Sequence, residues 1–324
     1  MSISRRTLLR GSAATLALGA SGHALTQAWP SKPVVLVCPQ AAGGTSDILS
    51  RLMAERLAPR LGQPVVVENR VGAGGNLGTG QVAQATPDGH TLVLGYVGTF
   101  AVNPALYPSI PFDPVDSFSH IVGLADVPLM LVVRADSPAK NVDDLVQLAR
   151  TKSLNFGSAG NGTMNHMAGE LVNQLARVKV THIPYRGVAA SVTDLVGGSV
   201  DYVFASLPST IGHIKSGRLR ALAVTSPQRS RALPDVPTLL ESKSAQGTVM
   251  TWYSLAGPTG LPASVVGRVQ GETVKILESP EVRERLETMG AVPWTPGPAE
   301  LVAAVRSDLA RWTPIVKASG AKID

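Results

Sequence analysis

Two stretches of small and hydroxyl-bearing residues carry the clearest chemistry in the chain: Ala41-Ala42-Gly43-Gly44-Thr45-Ser46-Asp47 and Gly157-Ser158-Ala159-Gly160-Asn161-Gly162-Thr163. In both, small residues let backbone N–H groups approach a ligand, and side-chain oxygens stand where a helix would begin. Unpaired amides and the positive end of a helix dipole then converge on one point, which is the chemistry of an anion site. Two such loops, far apart in the chain, suggest two jaws closing on one small anion.

The flanking elements position these loops. Val34–Cys38 is a continuous apolar run of strand length, and Ile48, Leu49, Leu52, Met53 and Leu57 then repeat on one helical face up to a cap at Gly62. A strand at Val65–Val67, a glycine-rich entry at 72–78 into a short helix, a turn at Pro87-Asp88-Gly89 and a strand at Thr91–Leu94 complete a first series of βα units. Alternation of this kind predicts a largely parallel sheet with helices on both faces. A second series begins after Pro138, with strands expected at Leu154–Phe156, Val180–Ile183, Val200–Phe204 and Leu219–Thr225, and helices at Asp143–Arg150, Thr163–Ala176 and Ala189–Val196. The apolar stretches Pro128–Val133 and Met250–Leu255 bracket that series like two crossing strands and are read as a hinge. Helices near Pro262, at Pro280–Met289 and at Pro298–Lys317 are expected to return to the first lobe.

Composition sets the broad class. Ser4-Arg5-Arg6-Thr7-Leu8-Leu9-Arg10, followed by the small, apolar run to Gly22, reads as an export signal of the twin-arginine type over residues 1–28, with Thr26-Gln27-Ala28 favoured over Gly22-His23-Ala24 as the cleavage context. Taking Arg5, Arg6 and Arg10 from the 29 basic residues leaves a net charge of +3 against 23 acidic ones. With no run of Lys or Arg and no interleaved aromatics, a nucleic-acid groove is not expected. Cys38 is the sole cysteine and reads as a buried strand thiol.

Many short stretches, in this order, resemble the Bug family of periplasmic solute receptors of tripartite tricarboxylate transporters. They include Trp29-Pro30-Ser31-Lys32-Pro33, the 41–47 loop, Gly62-Gln63-Pro64-Val65-Val66-Val67-Glu68-Asn69-Arg70 and Gly72-Ala73-Gly74-Gly75-Asn76-Leu77-Gly78. Later come Asn103-Pro104-Ala105-Leu106-Tyr107, the 157–163 loop with His166, Pro184-Tyr185-Arg186-Gly187 and Leu219-Arg220-Ala221-Leu222-Ala223-Val224-Thr225. The resemblance implies an α/β, two-lobed Venus-flytrap of the type II periplasmic binding-protein fold. Lobe 1 would hold residues 29–127 and 252–324, and lobe 2 residues 128–251. It implies a small carboxylate ligand, a di- or tricarboxylate or an acidic amino acid, and membrane transporter subunits as partners. No cofactor or metal is expected, and a monomer is the expected state.

Carried over residue by residue, the ligand-binding candidates in the first lobe are Gln40, Ala42, Gly43, Gly44, Thr45, Ser46, Asp47, Gly98 and Thr99. In the second lobe they are Ser158, Ala159, Gly160, Asn161, Thr163 and Asp201. Thr45, Ser46 and Asp47 equally suit helix capping with or without a ligand, and Asp201 equally suits a core edge or the hinge. Glu68-Asn69-Arg70 reads as structural, and Tyr185 and Arg186 either line the cleft or anchor a turn. Gln40 stands where family members usually carry an aromatic residue; pointing into the cleft, its amide would favour a ligand bearing a hydroxyl, amide or amino group. Enzymatic signatures fail on inspection. Thr163 replaces the lysine of a phosphate loop, Leu77 breaks the dinucleotide fingerprint, and no nucleophile elbow or zinc helix occurs. His166 and Glu170 share a helical face at metal-binding spacing, although a packed histidine explains them as well. A receptor that signals to a membrane kinase, and a periplasmic hydrolase or lyase of an organic acid, are the alternative functions.

Overall fold

The computed structural model describes residues 29–321, so the export-signal reading lies outside the described residues. The β-branched run β1 (Val34–Cys38) is buried on both faces and pairs in parallel with β2 (Val65–Asn69) on one side and β3 (Thr91–Tyr96) on the other. Two-sided burial of this kind is what a continuous apolar strand requires. Helix α1 (Thr45–Leu61) returns the chain from β1 to β2 and ends on Gly62, whose left-handed φ of 77° closes the helix through its N–H to the Ala58 carbonyl. A short helix α2 (Asn76–Ala83), a π-turn at Gly98–Val102 and the single helical turn α3 (Asn103–Leu106) complete this half.

The remainder of the first sheet departs from the parallel pattern expected. The long strands β4 (Phe118–Pro128) and β10 (Met250–Pro258) run antiparallel along their whole length, and β10 also pairs antiparallel with β3. The sheet is therefore mixed because the strand leaving the lobe and the strand returning to it lie side by side. Between them lies a second sheet of five strands: β5 (Met130–Arg134), β6 (Asn155–Ser158), β7 (Thr181–Pro184), β8 (Tyr202–Ala205) and β9 (Leu219–Val224), in the order β7, β6, β8, β5, β9. Helices α4 (Val142–Thr151), α5 (Met164–Ala176), α6 (Val188–Gly197) and α7 (Leu207–Lys215) connect them.

Thr225, fully buried, joins the two crossing segments. Its hydroxyl donates to the Val249 carbonyl at 2.5 Å and accepts the Leu129 N–H at 2.7 Å, while its backbone pairs with both residues. The chain then forms α8 (Ala263–Glu278), α9 (Pro280–Thr288), the short strand β11 (Val292–Pro293) and α10 (Pro298–Ser319). Helix α10 packs on the Gly98–Val102 turn and β4, and also touches α5.

One buried acid in this frame has a measurable consequence. Asp126 on β4 lies opposite Trp252 on β10, whose indole N–H donates to Asp308 of α10 at 2.6 Å. Burial first, and then the charge of Asp308, push Asp126 up to about 7. The folded chain thus keeps a proton there that the unfolded chain releases near 3.8, so stability falls as pH rises between those values. Asp126→Asn is expected to raise the melting temperature at neutral pH and to flatten the slope across that window, which reaches at most ~1.4 kcal/mol per pH unit for one proton. Thermal unfolding at a series of pH values checks this; an unchanged slope would show that Asp126 ionises normally.

Candidate ligand-binding cleft

The first loop follows β1 and opens α1. Gly43 takes the left-handed φ of 83° that the turn requires, and Gly44 is the N-cap residue, with no side chain capping the helix. The three polar residues that could have capped α1 are turned to other partners. Asp47 accepts the Gly43 N–H at 2.9 Å, the Arg51 Nε at 3.0 Å and the Asn69 Nδ2 at 2.9 Å. Ser46 donates to Gln40 Oε1 through a short contact, and Asn69 Nδ2 also donates to the Gln40 carbonyl at 3.0 Å. The first-turn amides of α1 consequently receive no side-chain acceptor, while Ala42, Gly43 and Gly44 are exposed. Burial raises the Asp47 carboxyl, but the hydrogen bonds from Arg51, Gly43 and Asn69 outweigh it and hold the group down at about 2.

Two phenols that the sequence reading missed form the floor beside this loop. Tyr96 at the end of β3 and Tyr253 on β10 stack with ring centroids 6.2 Å apart, and both are raised above the ordinary phenol range by burial. Tyr96 lies beside the Gln40 amide, and Tyr253 beside Ser46 and Thr45. Tyr96 donates to the Gly74 carbonyl at 2.9 Å, which Asn103 Nδ2 also reaches at 3.1 Å, so the glycine-rich 72–75 turn borders the floor. Cross-strand pairing of Tyr253 with Tyr96 creates this arrangement, and no local motif announces it. Gly98 and Thr99 sit behind the floor. A Cβ at Gly98 would meet the Tyr96 ring, and the buried Thr99 hydroxyl donates to the Tyr96 carbonyl at 3.1 Å.

The second loop follows β6 and opens α5, but satisfies itself more fully. Thr163 caps the helix, its Oγ accepting the His166 N–H, and donates to the Gly160 carbonyl at 2.8 Å. Ser158 is buried; its Oγ accepts the Gly160 N–H at 3.0 Å and lies 2.6 Å from His182 Nε2. Asn161 is exposed and Ala159, Gly160 and Thr163 are half-buried. Gly162 bridges the lobes, since a Cβ there would stand 2.0 Å from Leu106 Cδ2 of α3. The two loops thus belong to lobes that meet at Gly162.

One expectation changes. Asp201 is not in the cleft: its carboxylate accepts the Asn155 N–H at 2.7 Å at the N-terminal end of β6, whereas the loop leaves the C-terminal end. Asn69 is structural as read, donating to Asp47 and to the Gln40 carbonyl, and Glu68 and Arg70 pair with each other at 2.7 Å. Tyr185 gives its hydroxyl to Asp194 at 2.7 Å and packs behind Gly157; Arg186 is exposed. A groove of about 720 Å³ between α8 and α10 is remote from both loops.

A family model for the tripartite tricarboxylate transporter family receptor, TctC, matches residues 49–321. The chain belongs to the TctC family. This TctC-family chain is 37% identical over 317 residues to a protein encoded in the tcbD-tcbE intergenic region of Pseudomonas sp. strain P51, covering 97% of this chain and 94% of that one. The periplasmic binding protein BugD is 35% identical, with a TM-score of 0.79, covering 91% of this chain and 99% of BugD. Rpa4515 of R. palustris, solved with adipate, is 32% identical, with a TM-score of 0.83, covering 91% of this chain and all of that one. The Bug resemblance read from the sequence is thereby established. This TctC-family chain has the two-lobed α/β architecture of these periplasmic binding proteins. No helix among the described residues is long and apolar enough to cross a membrane.

Proposed function

We propose that this chain is an exported receptor that captures a small carboxylate between its two lobes, without turnover, and presents it to the membrane subunits of a tripartite tricarboxylate-type transporter. The observation that carries this reading is the start of α1: a 17-residue helix whose N-terminus no side chain caps, exposed at glycines and facing a floor of phenols. An anionic ligand would complete the missing cap, and the helix dipole would favour its charge. Ala159, Gly160 and Asn161 would supply the second jaw, with the crossings at 128–133 and 250–255 as the hinge. Closure then follows from the ligand's greater affinity for the state in which both jaws touch it. Adipate on Rpa4515 supports a dicarboxylate as the ligand class here. Residues 1–28 are the cleaved signal in this reading, and the mature receptor is a monomer.

A thermal-shift screen of the chain from Trp29 onward, against adipate, malate, citrate, acidic amino acids and their neutral amides, tests the proposal. A ligand at ~100 times its dissociation constant adds about 2.7 kcal/mol of stability. Stabilisation by a carboxylate and not by its amide is the expected result; no shift from any acid would overturn it. Gln40 sharpens the specificity. Its Oε1 accepts the Ser46 hydroxyl beside the Tyr96 ring, so Gln40→Phe should remove the side-chain tie between β1 and the loop. Roughly tenfold weaker binding of hydroxylated acids, with smaller change for unsubstituted ones, is expected by calorimetry. An unaltered ligand profile would show that Gln40 acts only within its own lobe.

A further inference from the structure

The 158–163 loop rests on two histidines from separate elements. His166 of α5 and His182 of β7 stack face to face, with ring centroids 3.6 Å apart and planes 7° from parallel. Each ring holds one end of the loop. Gly162 donates its N–H to His166 Nδ1 at 3.1 Å, which leaves the ring proton on Nε2, 3.5 Å from Glu170 Oε1. His182 Nε2 lies 2.6 Å from Ser158 Oγ, the atom that accepts the Gly160 N–H. His166 is 2% exposed, and a cavity of about 690 Å³ opens beside the pair, lined also by Glu170 and Lys179.

We infer that His166 and His182 are positioning residues, a stacked pair that holds the 158–163 jaw in its binding shape only while both rings are neutral. The inference rests on the reading of that loop as one jaw of the carboxylate cleft. The chemistry is direct. A proton on His166 Nδ1 abolishes the acceptor for Gly162, and protons on both rings would set two like charges face to face. The ionisable groups around the pair are Glu170 on α5, Lys179 ahead of β7 and the Tyr202 phenol on β8; the end of α10 contributes only Ser319 and its uncharged neighbours to the cavity. Burial, and then His166, depress His182 to about 3, so the ordered loop resists protonation that a solvated imidazole accepts near pH ~6.5. Acid therefore favours the released loop, by about tenfold per pH unit for the proton that His182 takes up.

The test separates this device from the ligand reading by measuring the ligand-free protein first. Amide-exchange protection factors of Gly160 and Gly162, corrected for intrinsic chemistry, should fall about tenfold per pH unit between about pH 6 and 4. In a His166→Asn/His182→Gln double variant, whose amides retain groups at the Nδ1 and Nε2 positions but do not titrate, the factors should stay level. His166→Ala should lower Gly162 protection at every pH. Level protection in the wild type, or an unchanged value in His166→Ala, overturns the inference. Binding of adipate and malate is then compared between wild type and double variant at each pH, which cancels the titration of the acids themselves. A ratio that follows the protection factors supports the inference, and one that stays constant overturns it. If protection falls as stated while neither these acids nor the rest of the thermal-shift panel binds, the histidine anchoring stands and the carboxylate-cleft reading fails.

Discussion

Gly162→Ala is expected to weaken binding of the cognate carboxylate by roughly 100-fold. Two separate penalties meet at that position. The backbone has a φ of 74°, a left-handed conformation that costs an L-residue about 1–2 kcal/mol. The added Cβ would also lie 2.0 Å from Leu106 Cδ2 and 3.4 Å from Leu106 Cγ, across the junction between lobes. Overpacking of that kind costs about 1–3 kcal/mol unless the neighbour withdraws. Backbone strain acts wherever the loop keeps its shape, whereas the clash acts only when the lobes meet. Leu106→Ala placed in the Gly162→Ala background should therefore restore part of the affinity and none of the strain. Calorimetry on the four proteins of this cycle measures the two parts. Wild-type affinity in Gly162→Ala would show that Gly162 and Leu106 are apart in the ligand-bound protein.

Asp47→Ala is expected to lower stability by about 2–4 kcal/mol and to abolish detectable ligand binding at millimolar concentrations. Asp47 is 4% exposed, and its carboxylate joins the Gly43 amide, the Arg51 guanidinium and the Asn69 amide, so it ties loop, helix and β2 together. Its removal leaves the Gly43 and Asn69 donors without their acceptor and frees the turn that exposes the α1 amides. The acid titration follows from the same bonds. A carboxyl held at about 2 and released near 3.8 in the unfolded chain contributes stability in full above 3.8, and that contribution is lost as pH falls through 2. Asp47→Asn should remove this part of the acid-unfolding curve while keeping the side chain's size. Denaturant titrations at neutral and acid pH check both statements; equal stability of wild type and Asp47→Ala at neutral pH would refute them.

Local chemistry made much of this protein legible before any coordinates. The apolar run at Val34–Cys38, the helical repeat after it and the glycines at 43, 62 and 162 depend on near neighbours and on backbone sterics, which residue types record directly. The same holds for the two strand-to-helix loops and for the order of elements that places the chain in its family. Side-chain partners across the sheets were not legible. Tyr96 and Tyr253 meet because β10 returns beside β3, and Asn69 reaches Asp47 because β2 lies next to β1. Asp201 is excluded from the cleft because β6 and β8 are parallel, which puts it at the end opposite the loop. The histidine stack likewise needs β7 at the edge beside β6 to bring His182 over His166. By itself the sequence determined which segments become the two strand-to-helix loops, because turn, cap and period are properties of adjacent residues. Only the tertiary structure decided which side chains brace those loops and which way their hydrogen bonds run, because that depends on strand order and direction between segments distant in the chain.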